Sequence, residues 1–251
     1  MRLMRLPVAG AMLSLTFFGL AACHNEPSAN SGGVGASGGA PAPGPTTVSD
    51  KECPADFTVD DMEDANNQII TQKGRNGYWY TFVDKQGSTI SPPIQTTFIM
   101  SAPGANGSTH ASRMIGKLSS TGEPLFAGMG FSFTNPKGQY DASAYSGVSF
   151  WAKIGSGSSA AVRLKVPDVN TDPDGKVCTE CFNDFGSDLT VTGQWAKYTV
   201  PFASMKQMSG WGSPQKPAID KSKIYGLQWQ FTQPGAAYDL WVDNVQLTGC
   251  P

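Results

Sequence analysis

The sequence predicts an all-β fold for residues 51–251, a two-sheet antiparallel β-sandwich of the jelly-roll type. Apolar and polar residues alternate with a period of two in many short stretches, which is the pattern of half-buried β-strands. After residue 50 no apolar stripe appears at helical spacing, and Gly, Pro, Asn and Ser fill the gaps, as turns require. About ten short strands with almost no helix favour two packed sheets.

The alternation assigns the strands in order along the chain. Strands are predicted at 57–63, 78–83, 96–101, 111–118 and 195–201, and a further one contains Phe131 and Phe133. In four others an apolar series alternates with outward residues: Val148-Phe150-Ala152, Val162-Leu164-Val166, Leu227-Trp229-Phe231 and Tyr238-Leu240-Val242. Trp229 belongs to such an inward series, so it is predicted to lie in the core. Helical turns are expected only near Ala142–Tyr145 and Phe202–Gln207.

The first residues have the layout of an export signal. Two arginines precede an apolar run at 8–20, which is too short for a spanning helix and is followed by small residues before Cys23. The stretch Leu20-Ala21-Ala22-Cys23 resembles a bacterial lipobox. The resemblance implies that residues 1–22 are a lipoprotein signal peptide and that Cys23 carries several acyl chains, such as palmitate, which anchor a protein stably. His24 in place of Asp favours the outer membrane; an ordinary signal peptide is the alternative.

A flexible tether is predicted between the anchor and the domain. Residues 23–50 are dominated by Asn, Ser, Gly, Ala, Pro and Thr and contain no aromatic residue, so they cannot bury enough apolar surface to fold. The remaining residues, 51–251, have the usual size of one β-sandwich domain. The net charge is −2 and no Lys/Arg cluster appears, which argues against nucleic-acid binding. A monomer is expected.

The cysteines are typical of an oxidising compartment, since four remain after Cys23. Cys53 and Cys250 would meet in a sandwich whose first and last strands lie side by side. Cys178 and Cys181 form a Cys-x-x-Cys in a polar loop. That loop lacks the helix of a redox motif and the two further ligands of a zinc site. A small loop-closing disulfide is therefore predicted there.

Four phrases of the sequence resemble a known group of domains. They are Val59-Asp60-Asp61-Met62-Glu63-Asp64, the segment Gly74–Tyr80, the segment Tyr140–Lys153 and the segment Tyr238–Val245. In this order they resemble galactose-binding-like jelly rolls, and the nearest relatives are carbohydrate-binding modules of family eleven. The resemblance implies a jelly roll that binds a polysaccharide such as a β-glucan. The ligand is the less specific part of this inference, because one fold serves many functions.

A sugar-binding face is predicted from the outward positions of the strands. Sugars need aromatic platforms for their ring faces, and amides, carboxylates and Arg for their hydroxyls. Several outward residues share one parity, opposite to their apolar neighbours, and two loop residues flank them. The predicted binding residues are Trp151, Lys153, Arg163, Lys165, Asp184, Trp211, Gln228 and Gln230. Two alternatives remain: the glutamines are plain solvated residues, and Trp211 caps the edge of the core.

The same resemblance implies a structural calcium ion. Ca²⁺ takes six to eight oxygen ligands from neighbouring segments. Asp61 and Glu63 would lie beside Asp243 if the first and last strands pair, and in many relatives calcium is bound at this place. The alternative is that these carboxylates are ordinary surface charges. The acidic loop 168–175 lacks the register of an EF-hand.

Catalysis is not predicted. His110 has no Ser or Cys nucleophile signature near it, although a glycosidase needs only two facing carboxylates. The first hypothesis is therefore a non-catalytic, surface-anchored lipoprotein that binds a glycan. The alternatives are a structural or adhesion lipoprotein that binds another envelope protein, and a small glycoside hydrolase or lyase.

Overall fold

The computed structural model describes residues 57–249. They form two antiparallel sheets, with short 3₁₀ turns at Pro173–Gly175, Phe202–Ser204 and Lys221–Lys223. The strands are β1 (Thr58–Asp60), β2 (Trp79–Val83), β3 (Thr89–Ser91), β4 (Ser112–Lys117), β5 (Ala127–Ser132), β6 (Gly147–Ile154), β7 (Ala161–Val166), β8 (Phe185–Thr190), β9 (Ala196–Pro201), β10 (Gly226–Phe231) and β11 (Ala237–Thr248). The predicted two-sheet sandwich is confirmed.

The chain crosses repeatedly between the two sheets. The six-stranded sheet has the order β3-β4-β11-β6-β9, with β1 paired to β11, and the five-stranded sheet has the order β2-β5-β10-β7-β8. From β4 onward most successive strands change sheet, so strand neighbours in space are far apart in sequence. This connectivity is typical of jelly rolls. The first strand pairs with the last, Thr58 opposite Gln246, which is the condition on which the predicted proximity of Asp61 and Glu63 to Asp243 depended.

The core between the sheets is built from the inward series of the alternating strands. Trp229 of β10 is fully buried. It stacks on Trp79 of β2 at 5.7 Å and meets Phe150 of the facing sheet edge-on at 5.2 Å. Such aromatic contacts add to the apolar area that each ring removes from water. The core therefore fixes which face of each strand is left to point outward.

The strands predicted from the sequence differ from the structure in three places: one predicted strand is absent and two strands were not predicted. Residues 96–101 form no strand; Phe98 and Met100 are buried, but the segment makes only an isolated bridge from Ser101 to Ala111. The alternation of apolar residues in this segment therefore reflects side-chain burial, and the segment has no continuous hydrogen-bond ladder with a neighbouring strand. The missed strands are β3, which is short and largely exposed, and β8, which contains Gly186 and Asp188; Gly and Asp are depleted in strands.

The predicted disulfide between Cys178 and Cys181 is present. The predicted signal peptide, Cys23, the tether and the pair Cys53 and Cys250 lie outside the described residues. No helix within 57–249 has the length and apolar character needed to cross a bilayer.

Candidate functional site

A cleft of about 880 Å³ covers the outward face of the five-stranded sheet, a volume within the range of small-molecule sites. Two rows of residues cross the sheet on this face, because side chains two apart on a strand point the same way. The first row runs through Tyr80, Gly130, Gln228, Lys165 and Gly186. The second runs through Phe82, Gly128, Gln230, Arg163 and Asp188.

Two glycines of β5 keep the cleft open. A Cβ on Gly128 would lie 2.2 Å from the Phe82 ring, and one on Gly130 would lie 3.0 Å from Gln228 and 2.3 Å from the Leu227 carbonyl. The absent side chains let the Phe82 ring and the Gln228 side chain lie over the strand. Glycine weakens a strand interior and often marks a close approach of this kind.

Tyr80 and Gln228 form a polar pair on the floor. The Gln228 amide Nε2 donates to the Tyr80 hydroxyl at 2.9 Å, which leaves the phenolic proton free to donate to a ligand. Burial raises the pKa of Tyr80 to about 12. The hydroxyl is therefore a neutral donor throughout the physiological pH range.

Every cation in the cleft lining is paired with a carboxylate. Arg163 binds Asp188 at 2.9 Å, Lys165 binds Asp184 at 2.9 Å, and Lys137 binds Asp172 at 2.7 Å. The lining contains these three cations and three carboxylates and no other charged side chain. The cleft is thus balanced in charge.

Asp184 has an unusual environment. Its side chain is only 2% exposed, and Oδ2 binds Lys165 while the buried Oδ1 has no hydrogen-bond partner. A buried acceptor without a partner costs about 1–3 kcal/mol. Asp184 and Lys165 therefore form a buried ion pair that supports the cleft lining.

Three large exposed side chains form the rim on the side of β8. Phe182 is 61% exposed, Met208 is 48% exposed and Trp211 is 40% exposed, and all three line the cleft. The Asn183 amide holds their two segments together, because its Nδ2 donates to the carbonyls of Met208 (2.8 Å) and Trp211 (2.5 Å). Exposed aromatic rings beside a polar floor suit the two surfaces of a sugar ring.

The structure brings six of the eight predicted binding residues to this cleft: Arg163, Lys165, Asp184, Trp211, Gln228 and Gln230. The prediction that Trp151 and Lys153 share the same groove is wrong. Both lie on β6, which belongs to the six-stranded sheet, so their outward face is on the other side of the molecule. Lys153 there contacts the rings of Trp195 and Trp241 at 4.9 and 4.7 Å.

Several residues of the cleft were not predicted from the sequence. Tyr80 was not among the predicted binding residues, yet the burial of its neighbour Trp79 on β2 directs Tyr80 outward. Phe82 lies two residues after Tyr80 on β2, so it also points outward into the cleft. The phrase Gly128-Met129-Gly130 was an available signal, since glycine at successive outward positions marks an open floor. Phe182 had no comparable signal, because it lies in an irregular loop.

The predicted calcium ligands are placed differently from a metal site. Glu63 accepts hydrogen bonds from Ser108 and Thr109, and the Ser108 hydroxyl is the largest cause that lowers the pKa of Glu63 to about 2. Asp243 accepts a hydrogen bond from the Ala105 N–H at 2.6 Å. Asp61 accepts one from the backbone N–H of Glu63. Within 57–249 no group of three or more His, Cys, Asp and Glu side chains is placed to hold a metal ion. These residues do not fit a carboxylate-built site, and calcium stays a prediction.

Solved structures with a similar fold include carbohydrate-binding modules. The family 11 module from Clostridium thermocellum in complex with a β-1,3-1,4-mixed-linked tetrasaccharide has a TM-score of 0.50 and 17% identity, over 68% of this chain and 89% of that one. The family 11 module of the cellulosomal cellulase Lic26A-Cel5E of Clostridium thermocellum has a TM-score of 0.50 and 16% identity, over 74% and 92%. These likenesses show a shared fold and place the chain in the class of β-sandwich modules.

The family itself is shown by sequence. The model of carbohydrate binding domain 30 matches residues 67–249, and the chain belongs to that family. The resemblance to carbohydrate-binding modules is confirmed, with family 30 as the matching model and family 11 among the structural neighbours. No curated protein matches the chain.

Proposed function

We propose that this domain binds a neutral polysaccharide of the β-glucan type in the cleft of the five-stranded sheet. The observation that carries the proposal is a charge-balanced floor beneath an exposed aromatic rim. The paired cations provide no excess charge to attract a uronate or a sulfated sugar, whereas Tyr80, Gln228 and Gln230 offer donors and acceptors for hydroxyls. Phe182 and Trp211 offer apolar faces for the rings.

The structural neighbours support the choice of glycan. One of the family 11 modules was solved in complex with a β-1,3-1,4-mixed-linked tetrasaccharide. A mixed-linked β-glucan is neutral and rich in hydroxyls, in agreement with the balance of charge in the cleft. We therefore place this class of polymer first among the ligands to be tested.

The proposed role is non-catalytic. Glycosidases use two free carboxyl groups that face each other across the substrate. In this cleft each lining carboxylate is bound to a Lys or Arg side chain, an arrangement that serves binding and structure. Absence of reducing-sugar release from every glycan that the domain binds is the expected result.

Affinity electrophoresis against mixed-linked β-glucan, laminarin, hydroxyethyl cellulose and xyloglucan tests the proposal, with alginate as the anionic control. We expect retardation by at least one neutral β-glucan and none by alginate. Retardation by alginate alone, or by no polymer even with calcium present, would overturn it. Competition by a soluble oligosaccharide separates this function from binding of an envelope protein.

The proposed location rests on the N-terminal sequence. We propose that lipid on Cys23 anchors the domain to the outer membrane through the tether 23–50, so that the cleft samples glycans near the cell. Substitution Cys23→Ser is expected to release the protein from the membrane fraction. Mass spectrometry of the wild-type N-terminal peptide should show the acyl chains, and an unmodified Cys23 would contradict the anchor.

A further inference from the structure

The rim of the cleft depends on a loop outside both sheets. The disulfide between Cys178 and Cys181 closes a four-residue ring, and Phe182 follows it directly. The backbone of Phe182 has a φ of +75°, in the left-handed region that bulky residues rarely adopt. Its N–H donates to the Thr171 carbonyl at 2.8 Å. The ring is thus presented to the cleft by a backbone conformation that its surroundings must enforce.

The same small ring supports the segment that contains Trp211. Inside it, Glu180 accepts from the Ser213 N–H at 3.0 Å through its carbonyl and from the Gly212 N–H at 2.9 Å through Oε2. Thr179 donates to the Ser213 carbonyl at 2.9 Å. The residues on the C-terminal side of Trp211 are therefore hydrogen-bonded to the disulfide ring.

We propose that the Cys178–Cys181 disulfide, together with Glu180, positions both aromatic side chains of the rim, and that glycan affinity depends on this cross-link. The inference rests on the proposed function. The cross-link restricts the backbone on both sides of Glu180, and restricted segments lose less conformational entropy when a ligand orders them. Without it, the left-handed conformation of Phe182 and the bonds to Ser213 and Gly212 lose their support.

Cleavage of the cross-link is a balanced two-electron step. A dithiol reductant supplies two electrons and two protons, the S–S bond breaks to give the thiols of Cys178 and Cys181, and the reductant becomes a disulfide. Both cysteines are partly accessible, so the reagent can reach them. The sheets and their core do not contain this bond, and a cooperative unfolding transition is expected to persist after reduction.

The experiment compares the full chain with its Cys178→Ser/Cys181→Ser variant, each with and without dithiothreitol. We expect reduction to lower the affinity of the wild type for its glycan about fivefold or more. The double variant should have the low affinity in both conditions, which separates this disulfide from any other. Equal affinity of all four samples overturns the inference.

A second readout does not require a glycan. Reduction should shift the tryptophan emission of the wild type, and the shift should vanish in Trp211→Phe. If the oxidised wild type binds no glycan, the proposed function fails; a Trp211-dependent shift then still supports the positioning role, and its absence overturns it.

Glu180 is tested as a positioning residue by a matched pair of variants. Glu180→Ala removes the acceptor for the Gly212 N–H and should lower affinity and shift Trp211 emission in the same way as reduction. Glu180→Gln retains an acceptor oxygen and should restore both. Wild-type behaviour of Glu180→Ala would overturn the role of this residue.

Discussion

The outward faces of the two sheets carry the same kinds of residue in different arrangements. On the six-stranded sheet, two cations lie over one tryptophan ring: Arg113 is 4.4 Å from the Trp241 ring and also binds Asp239 at 2.8 Å, and Lys153 is 4.7 Å from the same ring. On the five-stranded sheet, cations bind carboxylates, and the aromatic rings stand at the rim. The six-stranded face is covered by its own side chains around Trp241 and has a cleft of about 490 Å³ at its edge near Ser91 and Ile115, whereas the five-stranded face keeps an open cleft of about 880 Å³.

This difference shows that the position of the cations relative to the aromatic rings affects how much ring surface a sheet face exposes. A cation stacked on a ring covers the ring and gains contact energy there; Trp241 is only 8% exposed as a result. Arg163 and Lys165 bind carboxylates instead, and the Phe182 and Trp211 side chains of the same cleft stay exposed. The first arrangement favours stability, and the second favours recognition.

The largest expected effect is on the covered face. Trp241→Ala should lower the free energy of unfolding by about 3 kcal/mol, because it removes a nearly buried ring and the support of two cations. Urea denaturation measures this change. Glycan affinity of the folded variant should be unchanged, and a loss of affinity would show that the two faces are not independent.

On the open face, Trp211→Ala should lower glycan affinity about tenfold or more, equivalent to about 1.4 kcal/mol. The ring is 40% exposed and lines the cleft, so its removal should leave the melting temperature nearly unchanged. Isothermal titration calorimetry measures the affinity. Trp151→Ala on the other sheet is the matched control, and an equal loss in both variants would refute the assignment of the site.

A smaller effect is expected at the cleft floor. Tyr80→Phe removes one hydroxyl and leaves Gln228 without its partner, so affinity should fall about three- to tenfold. Calorimetry with the same glycan measures the loss. Tyr198→Phe, which removes a hydroxyl bonded to Thr190 and Thr192 outside the cleft, should bind as the wild type does.

The smallest effect is expected from pH. Because burial raises the pKa of Tyr80 to about 12, the phenol keeps its proton and affinity should be constant between about pH 7 and about pH 9. Titrations at three pH values test this. A fall in affinity toward pH 9 that is absent in Tyr80→Phe would mean that the phenol loses its proton early.

The sequence predicted most strands and the parity of each, because alternation is a local property and Trp229 or Leu164 can be assigned inward from their neighbours alone. It could not predict which sheet contains a strand. Trp151 and Gln228 have equivalent local patterns, yet the order of strands places them on opposite sides of the molecule. Sheet membership depends on long-range pairing, which no local pattern encodes.

The rim was the least predictable part of the site. Trp211 was identified from its loop position, whereas Phe182 depends on a positive φ, a disulfide and a bond to Thr171. Such positions arise from tertiary contacts. The floor of the cleft was partly predictable. Alternation along the strands predicted its polar side chains, which are Arg163, Lys165, Gln228 and Gln230. It did not predict the open space above Gly128 and Gly130, because that space exists only where side chains are absent.

Lys137, Arg163 and Lys165 are each paired with a carboxylate of the cleft, and this pairing affects how the salt concentration acts on binding. The Lys165–Asp184 pair is buried and is screened far less than exposed charges, and a neutral chain that enters the cleft would displace water without releasing counter-ions. Association of the proposed neutral ligand is therefore expected to depend little on ionic strength, and the domain would retain the same polymer in fresh water and in brine.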